Sequence, residues 1–196
     1  KNLLDAEGYY AKAEKLFQDL GQMNTLHAAT LLANIGALSK EKGDLKKAKQ
    51  YYDRAYAIRK TILGDQHATI ADTLMNYANL FNENGEQQQA EKCYLQALNM
   101  RISCYGENHK DVAQAYNNLG AFYSNNGQFA KAKECHEKAL EIRKKVCGEY
   151  HPNVFESYHN LGALHTRMNE METAEQYYGK ALAGYQELHG ENSSEY

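Results

Sequence analysis

Residues 117–147 read NNLGAFYSNNGQFAKAKECHEKALEIRKKVC, and the same arrangement of residue types returns every 42 residues along the chain. Two sets of residues mark this period. The first set is Gly64, Gly106, Gly148 and Gly190. The second set falls midway between them and is Gly43, Gly85, Gly127 and Asn169. Because glycine closes a helix in the left-handed conformation without a Cβ clash, and Asn is its usual substitute, each interval predicts one helix and its turn.

Small and large residues keep the same register and predict that these helices pair. The first helix of each unit, helix A, carries a small residue at Gly36, Ala78, Gly120 and Gly162. The second, helix B, carries small residues at Ala48, Ala90, Ala132, Ala174, Ala55, Ala97, Ala139 and Ala181. Small side chains let facing backbones approach closely, while larger residues such as Leu32 and Tyr52 fill the space between them. The predicted unit is therefore a helical hairpin, and the predicted fold is all-α.

The order of small and aromatic residues distinguishes between families of helical repeats. HEAT and armadillo units of roughly 40–47 residues have a similar period. Here, however, a large residue is followed by Gly or Ala, then by Ala, by an aromatic residue or His, and by Ala again, which resembles the tetratricopeptide repeat. The resemblance implies a right-handed α-α superhelix, a single solenoid. Its predicted parts are a partial repeat with one helix B at 1–22, repeats at 23–64, 65–106, 107–148 and 149–190, and a truncated tail at 191–196.

The residues at the junctions between repeats indicate one particular group within this family. Gly64 and His67 form a Gly-x-x-His motif that recurs at the next two junctions and is followed once by Pro152. In the third repeat, Asn-Asn-Leu-Gly follows one such junction and Ala-Leu-x-Ile-Arg precedes the next. This combination looks like the kinesin light chain and nephrocystin group of tetratricopeptide proteins. The resemblance implies a cargo or scaffold adaptor. The sequence contains no Gly-rich phosphate loop, nucleophile elbow or HExxH motif, so we expect neither an enzyme nor a cofactor. The resemblance also implies a cytoplasmic location, with association with the cytoskeleton as a further option.

Composition agrees with an interaction module of this kind. The net charge is −3, with basic and acidic residues interleaved, so the sequence predicts neither nucleic acid nor anionic lipid as a partner. No apolar run approaches the roughly 20 residues of a membrane helix. The four cysteines lack zinc-site spacing, and scattered free thiols favour a reducing compartment. Cys93 and Cys135 occupy equivalent places in helix B, where we expect small buried residues.

A recurring asparagine is the main candidate for binding. In tetratricopeptide arrays the position two residues before the small residue of helix A faces a concave groove, and here it holds Asn34, Asn76, Asn118 and Asn160. An amide offers donors and an acceptor, so these four residues can hydrogen-bond the backbone of an extended peptide. The alternative is that they stabilise the turn between helices. Neighbouring groove positions are expected to add specificity, among them Lys40, Asn79, Asn82, Asn117, His159 and Arg167.

Two other recurring residues favour structural roles. His67, His109 and His151 stand just before helix A, which predicts a capping or junction role rather than a metal site. Arg59, Arg101 and Arg143 lie in the last turns of helix B. There a cation interacts favourably with the helix dipole, and we expect it to pair with the junction acids Asp65, Glu107 and Glu149.

A second functional hypothesis comes from the two ends of the chain. Solenoids need polar capping helices, and neither end of this sequence offers one. The sequence therefore also fits a piece of a longer protein that acts as an oligomerisation or autoinhibitory element, with self-association through its ends.

Overall fold

The computed structural model describes the backbone of residues 2–192 and the side chains of residues 5–188. Within residues 2–192 it contains nine α-helices and no strand. The helices are α1 (Asn2–Asp19), α2 (Leu26–Glu41), α3 (Leu45–Leu63), α4 (Ala68–Glu83), α5 (Gln87–Tyr105), α6 (Lys110–Asn125), α7 (Phe129–Cys147), α8 (Pro152–Arg167) and α9 (Met171–Asn192). The all-α prediction is confirmed. The repeat boundaries stay a proposal, and the last four residues of the predicted tail lie outside the described part.

The chain forms two compact units, Lys1–Met100 and Arg101–Tyr196. In the first unit α1 packs on α2, α2 on α3, and α3 on α4. In the second unit α6 packs on α7, α7 on α8, and α8 on α9. Helices A are α2, α4, α6 and α8, and helices B are α3, α5, α7 and α9. The pairs α2 and α3, α6 and α7, and α8 and α9 therefore form predicted hairpins.

Tight packing occurs where small residues were predicted. Ala48 and Ala55 of α3 are fully buried, and Leu32 of α2 is buried beside Ala55 in the same cluster. A Cβ added to Gly36 would lie 2.6 Å from the ring of Tyr52, so α2 and α3 approach too closely there for a larger residue without a shift of that ring.

The recurring glycines and Asn169 lie in turns between helices as predicted, with one exception. Asn169 has a φ of 63° and is the one non-glycine residue with positive φ in the described backbone, as expected for the substitute of a turn glycine. The prediction that Gly190 ends a helix is wrong, because α9 continues to Asn192. Glycine permits a left-handed turn but does not impose one.

The recurring histidines cap the A helices, as predicted. His67, His109 and His151 are the N-cap residues of α4, α6 and α8. In each case the Nδ1 atom accepts a hydrogen bond of 3.2 Å from the backbone N–H two residues later. This bond satisfies one of the free N–H groups at the start of the helix.

The expected pairing of Arg59 with Asp65 and of Arg143 with Glu149 is wrong. Arg59 is buried, and its Nη1 atom donates to the Thr69 carbonyl at 3.1 Å and to the Thr73 hydroxyl at 2.6 Å. Arg143 is buried in the same way and donates to the Asn153 carbonyl and the Ser157 hydroxyl. Arg101 donates to the carbonyl of Asp111 at 3.0 Å. Each arginine thus binds the first turn of the next helix A.

Two of the junction acids, Asp65 and Glu149, pair with lysines instead. Lys60 lies 2.8 Å from Asp65, and Lys144 lies 3.3 Å from Glu149. These lysines follow the arginines by one residue, which turns them about 100° away on the helix, toward solvent. The buried arginines face the neighbouring helix, where fixed carbonyl and hydroxyl oxygens compensate the loss of hydration.

Replacing a buried arginine should destabilise the protein far more than replacing an exposed one. Arg143→Met removes the hydrogen bonds that Arg143 donates to Asn153 and Ser157 and its ion pair with Glu156. We therefore expect the free energy of unfolding to fall by about 2–4 kcal/mol. Arg54→Met is the control, because the Arg54 side chain is 45% exposed and pairs with Glu14. That change should cost at most about 1 kcal/mol. Chemical denaturation measures both, and equal losses would contradict the prediction.

Candidate peptide-binding surface

Each helix A exposes one stripe of residues at helical spacing, which we call the A-helix stripe. On α2 it comprises Thr30, Asn34, Ala37 and Glu41. The equivalent residues are Asp72, Asn76, Asn79 and Glu83 on α4, Gln114, Asn118, Ala121 and Asn125 on α6, and Glu156, Asn160, Ala163 and Arg167 on α8. All of these side chains are exposed or half-buried. The four recurring asparagines therefore lie at solvent-accessible positions of helix A.

In the first unit most side-chain amides on the stripes of α2 and α4, and the amide of Asn82 next to the α4 stripe, form no hydrogen bond with other described residues. Lys40 forms an ion pair with Glu83, which joins the two helices. Asn34 is exposed, while Asn76 and Asn82 are half-buried, and these three amides have no hydrogen-bond partner among the described side chains. Asn79 differs, because its Oδ1 atom accepts a bond from the Tyr94 hydroxyl. This unit therefore presents amides whose donors and acceptors can bind a ligand.

In the second unit more of the stripe side chains form hydrogen bonds with one another or with helix B than in the first unit. Gln114 donates to Oδ1 of Asn118 at 2.9 Å, and Arg143 donates to the side-chain Oε1 of Gln114 at 3.1 Å. On α8, Arg167 donates to Asn125 at 2.6 Å. A buried arginine of helix B thereby holds a stripe amide in one orientation through an intermediate glutamine.

Asn117 lies behind the stripe rather than on it. Its side chain is 8% exposed, and its Oδ1 atom accepts from Asn160 Nδ2 at 2.8 Å and from His136 Nδ1 at 3.1 Å. Burial, with a smaller contribution from the charge of Arg143, lowers the pKa of His136 to about 4. The imidazole is therefore neutral near pH 7. We assign Asn117 the role of orienting Asn160.

His159 is exposed and packs edge to face on the Tyr178 ring, with ring centres 5.4 Å apart. Tyr178, His136 and Tyr94 share one register position of helix B, and each contacts a predicted groove residue of its own hairpin. The sequence pattern indicated that this position fills the space between helices. It missed that the polar ends of Tyr94 and His136 also bind the groove amides.

No helix within the described residues is long and apolar enough to cross a membrane.

The neutral His136 should make stability depend on pH. Its pKa of about 4 in the folded protein lies below the ordinary value of 6.5, so the unfolded chain binds more protons between these values. The free energy of unfolding should therefore fall as pH drops from about 6.5 to about 4, and His136 should account for about 2 kcal/mol between about pH 7 and pH 5. The measurement is denaturation of wild type and His136→Phe at both pH values. Equal pH dependence in the two proteins would refute the assignment.

Comparison with known proteins matches the sequence and the fold to one family. A model of the tetratricopeptide repeat matches residues 26–103 and 111–187. Among solved structures, BtubC (BKLC) from P. vanneervenii is 26% identical with a TM-score of 0.80, over 94% of this chain and 76% of that one. The comparison with curated proteins gives no match.

Two further solved structures share the fold at lower identity. A protein of Podosopora anserina, described as a kinesin light chain with nearly identical TPR-like repeats, is 18% identical with a TM-score of 0.67, over 92% of this chain and 95% of that one. The apo form of RapI is 18% identical with a TM-score of 0.75, over 99% of this chain and 68% of that one. The matched segments and the shared fold establish that the chain belongs to the tetratricopeptide repeat family, with the predicted all-α superhelical fold class.

Proposed function

We propose that this chain is a non-catalytic protein-interaction module that binds an extended peptide along its A-helix stripes. Tetratricopeptide repeats generally bind proteins or peptides. The observation that carries the proposal is the pair of unbonded amides at Asn34 and Asn76, at the same register position of two A helices that contact each other. Because neither amide is hydrogen-bonded within the described residues, both are available to a ligand.

The spacing of these amides suits an extended chain. Packed helices lie about 8–10 Å apart, and an extended peptide advances about 3.3 Å per residue. Equivalent amides on α2 and α4 would therefore meet peptide groups about three residues apart. Each amide can donate to a carbonyl and accept from an N–H, so main-chain bonds supply affinity without requiring one sequence.

The stripes differ in what they offer for specificity. In the first unit Asn82 and Asn79 lie near the Lys40–Glu83 pair, so a ligand meets a nearly neutral polar surface. In the second unit Asn118 and Asn160 are held by Gln114 and Asn117. Preorganised groups lose less side-chain entropy on binding. His159 and Arg167 add exposed polar contacts on α8.

The proposal extends to a cargo or scaffold adaptor of the kinesin-light-chain type. It is supported by the fold shared with the Podosopora anserina protein and by the junction motif around His67. We place this function in the cytoplasm, with the cytoskeleton as a further site of action. The free cysteines Cys93, Cys104, Cys135 and Cys147 favour that compartment.

The stripe amides should be required for peptide binding. Peptides selected on the wild-type protein from a displayed random library would be titrated against Asn34→Ala/Asn76→Ala. Loss of two hydrogen bonds should weaken binding by about tenfold or more. Gln88→Ala/Gln96→Ala is the matched control, since it removes two exposed amides from helix B. Selected peptides that bind both variants equally well would argue against the stripe as the binding surface.

A second candidate function is self-association or masking of another domain. Tyr9 and Leu16 of α1 are 71% and 58% exposed, and Met171 and Leu182 of α9 are 56% and 59% exposed. Exposed apolar surface of this kind is found at interfaces.

Self-association predicts a mass that rises with concentration. In sedimentation equilibrium the wild-type protein should form a dimer or larger species, and Leu16→Lys/Leu182→Lys should shift it toward monomer. A wild-type protein that stays monomeric at every concentration would rule out this candidate for the isolated chain.

A further inference from the structure

A cleft of about 160 Å³ lies in the first unit where α1, α2 and α3 meet. Ile35 and Leu38 of α2 give it an apolar lining, and Tyr10 and Tyr51 give it an aromatic one. Ser39 lies between these groups and is 5% exposed. The lining shares no residue with the A-helix stripe of α2. The cleft is therefore separate from the proposed peptide-binding surface.

Ser39 occupies a position that holds an aromatic ring in the other three repeats. The residues 42, 84 and 126 positions later are Phe81, Tyr123 and His165. Tyr123 and His165 are buried, and Phe81 is half-buried. Phe81 stacks on Tyr77, with ring centres 6.1 Å apart. In the first repeat the hydroxyl of Ser39 donates to the Ile35 carbonyl at 2.8 Å, and no ring stands in its place.

Tyr51 compensates for this missing ring only in part. Its equivalents are the smaller Cys93 and Cys135 in the second and third repeats, and Tyr177, which stacks on His165, in the fourth. The Tyr51 hydroxyl, however, donates to Glu14 of α1 at 3.2 Å, and the Arg54 guanidinium lies 5.4 Å from its ring centre. These contacts hold Tyr51 at the side of the cleft. The volume of the cleft is similar to that of an apolar cavity of about 150 Å³ that takes up benzene in another protein.

We propose that this cleft binds an aromatic side chain of a partner protein, in the place that Phe81, Tyr123 and His165 occupy in their own repeats. Apolar contact with Ile35 and Leu38 and ring contact with Tyr10 and Tyr51 hold the incoming ring. The carboxylates of Glu7 and Glu14 also line the cleft. A carboxylate has about four acceptor sites, so each can accept from a ring that carries a donor. An indole or a phenol therefore fits better than a phenyl ring.

The test uses N-acetyl-tryptophanamide as the probe. Because the chain has no tryptophan, excitation at the long-wavelength edge of the indole absorption band excites the probe selectively over the 16 tyrosines of the protein. We expect saturable binding with a dissociation constant on the order of 1 mM, as for a ligand of this size. N-acetyl-glycinamide, which lacks the ring, should not compete.

Ser39→Phe places the ring of the other repeats in the cleft and should weaken probe binding by about tenfold or more, because the space is filled. Ala57→Phe is the matched control, since it adds a ring at an exposed position of α3 that belongs neither to the cleft nor to the A-helix stripes. It should bind the probe like wild type. Unfolding midpoints verify that both variants fold.

Backbone amide shifts in the wild-type protein decide the outcome if Ser39→Phe does not fold. Shifts confined to residues around Ser39, Leu38 and Tyr51 would support the proposal. No saturable binding, equal binding by Ser39→Phe, or shifts elsewhere would overturn it. None of these results depends on Asn34 or Asn76, so they test the cleft independently of the proposed peptide-binding surface.

Discussion

The start of a helix A is held from two sides, and the packing of successive hairpins depends on this contact. One residue, Asn153 of α8, donates its N–H to His151 and accepts from Arg143 at its carbonyl oxygen. Thr69 and Asp111 are held in the same way on α4 and α6. The histidine is a local cap, whereas the arginine comes from the preceding helix B. Because Arg59 and Arg143 are buried, these bonds are shielded from water and tie successive helices together.

The same contact reaches the candidate binding surface in the second unit. Arg143 binds Ser157 of α8 and also Gln114 of α6, which in turn donates to Asn118. The groups that connect hairpins thus also orient an amide of the stripe. His136 of α7 orients a second amide of α6. It donates to Oδ1 of Asn117, which also accepts a hydrogen bond from Asn160. Stability and binding geometry are therefore linked by shared hydrogen bonds.

Between one repeat and the next, a large and a small residue can exchange places on the facing surfaces of helix A and helix B, which explains some of the differences between repeats. In the third repeat Ala113 of helix A and Ile142 of helix B are both buried. In the fourth repeat the equivalent residues are Phe155 and Gly184, and a Cβ on Gly184 would lie 2.3 Å from the Phe155 ring. The exchange keeps the total volume nearly constant, as close packing requires. At Ser39 and Tyr51 the exchange is incomplete, and a cleft remains.

The sequence by itself determined the features that depend on near neighbours in the chain. The period of 42 residues predicted the helices, the turn at Asn169 and the histidine caps, because a cap or turn joins groups only a few residues apart. Tertiary structure alone decided the partners of Arg143, the burial of Asn117 and the cleft at Ser39. These depend on which side chains a neighbouring helix presents. A periodic pattern indicates which face of a helix is buried but not which atoms meet across it.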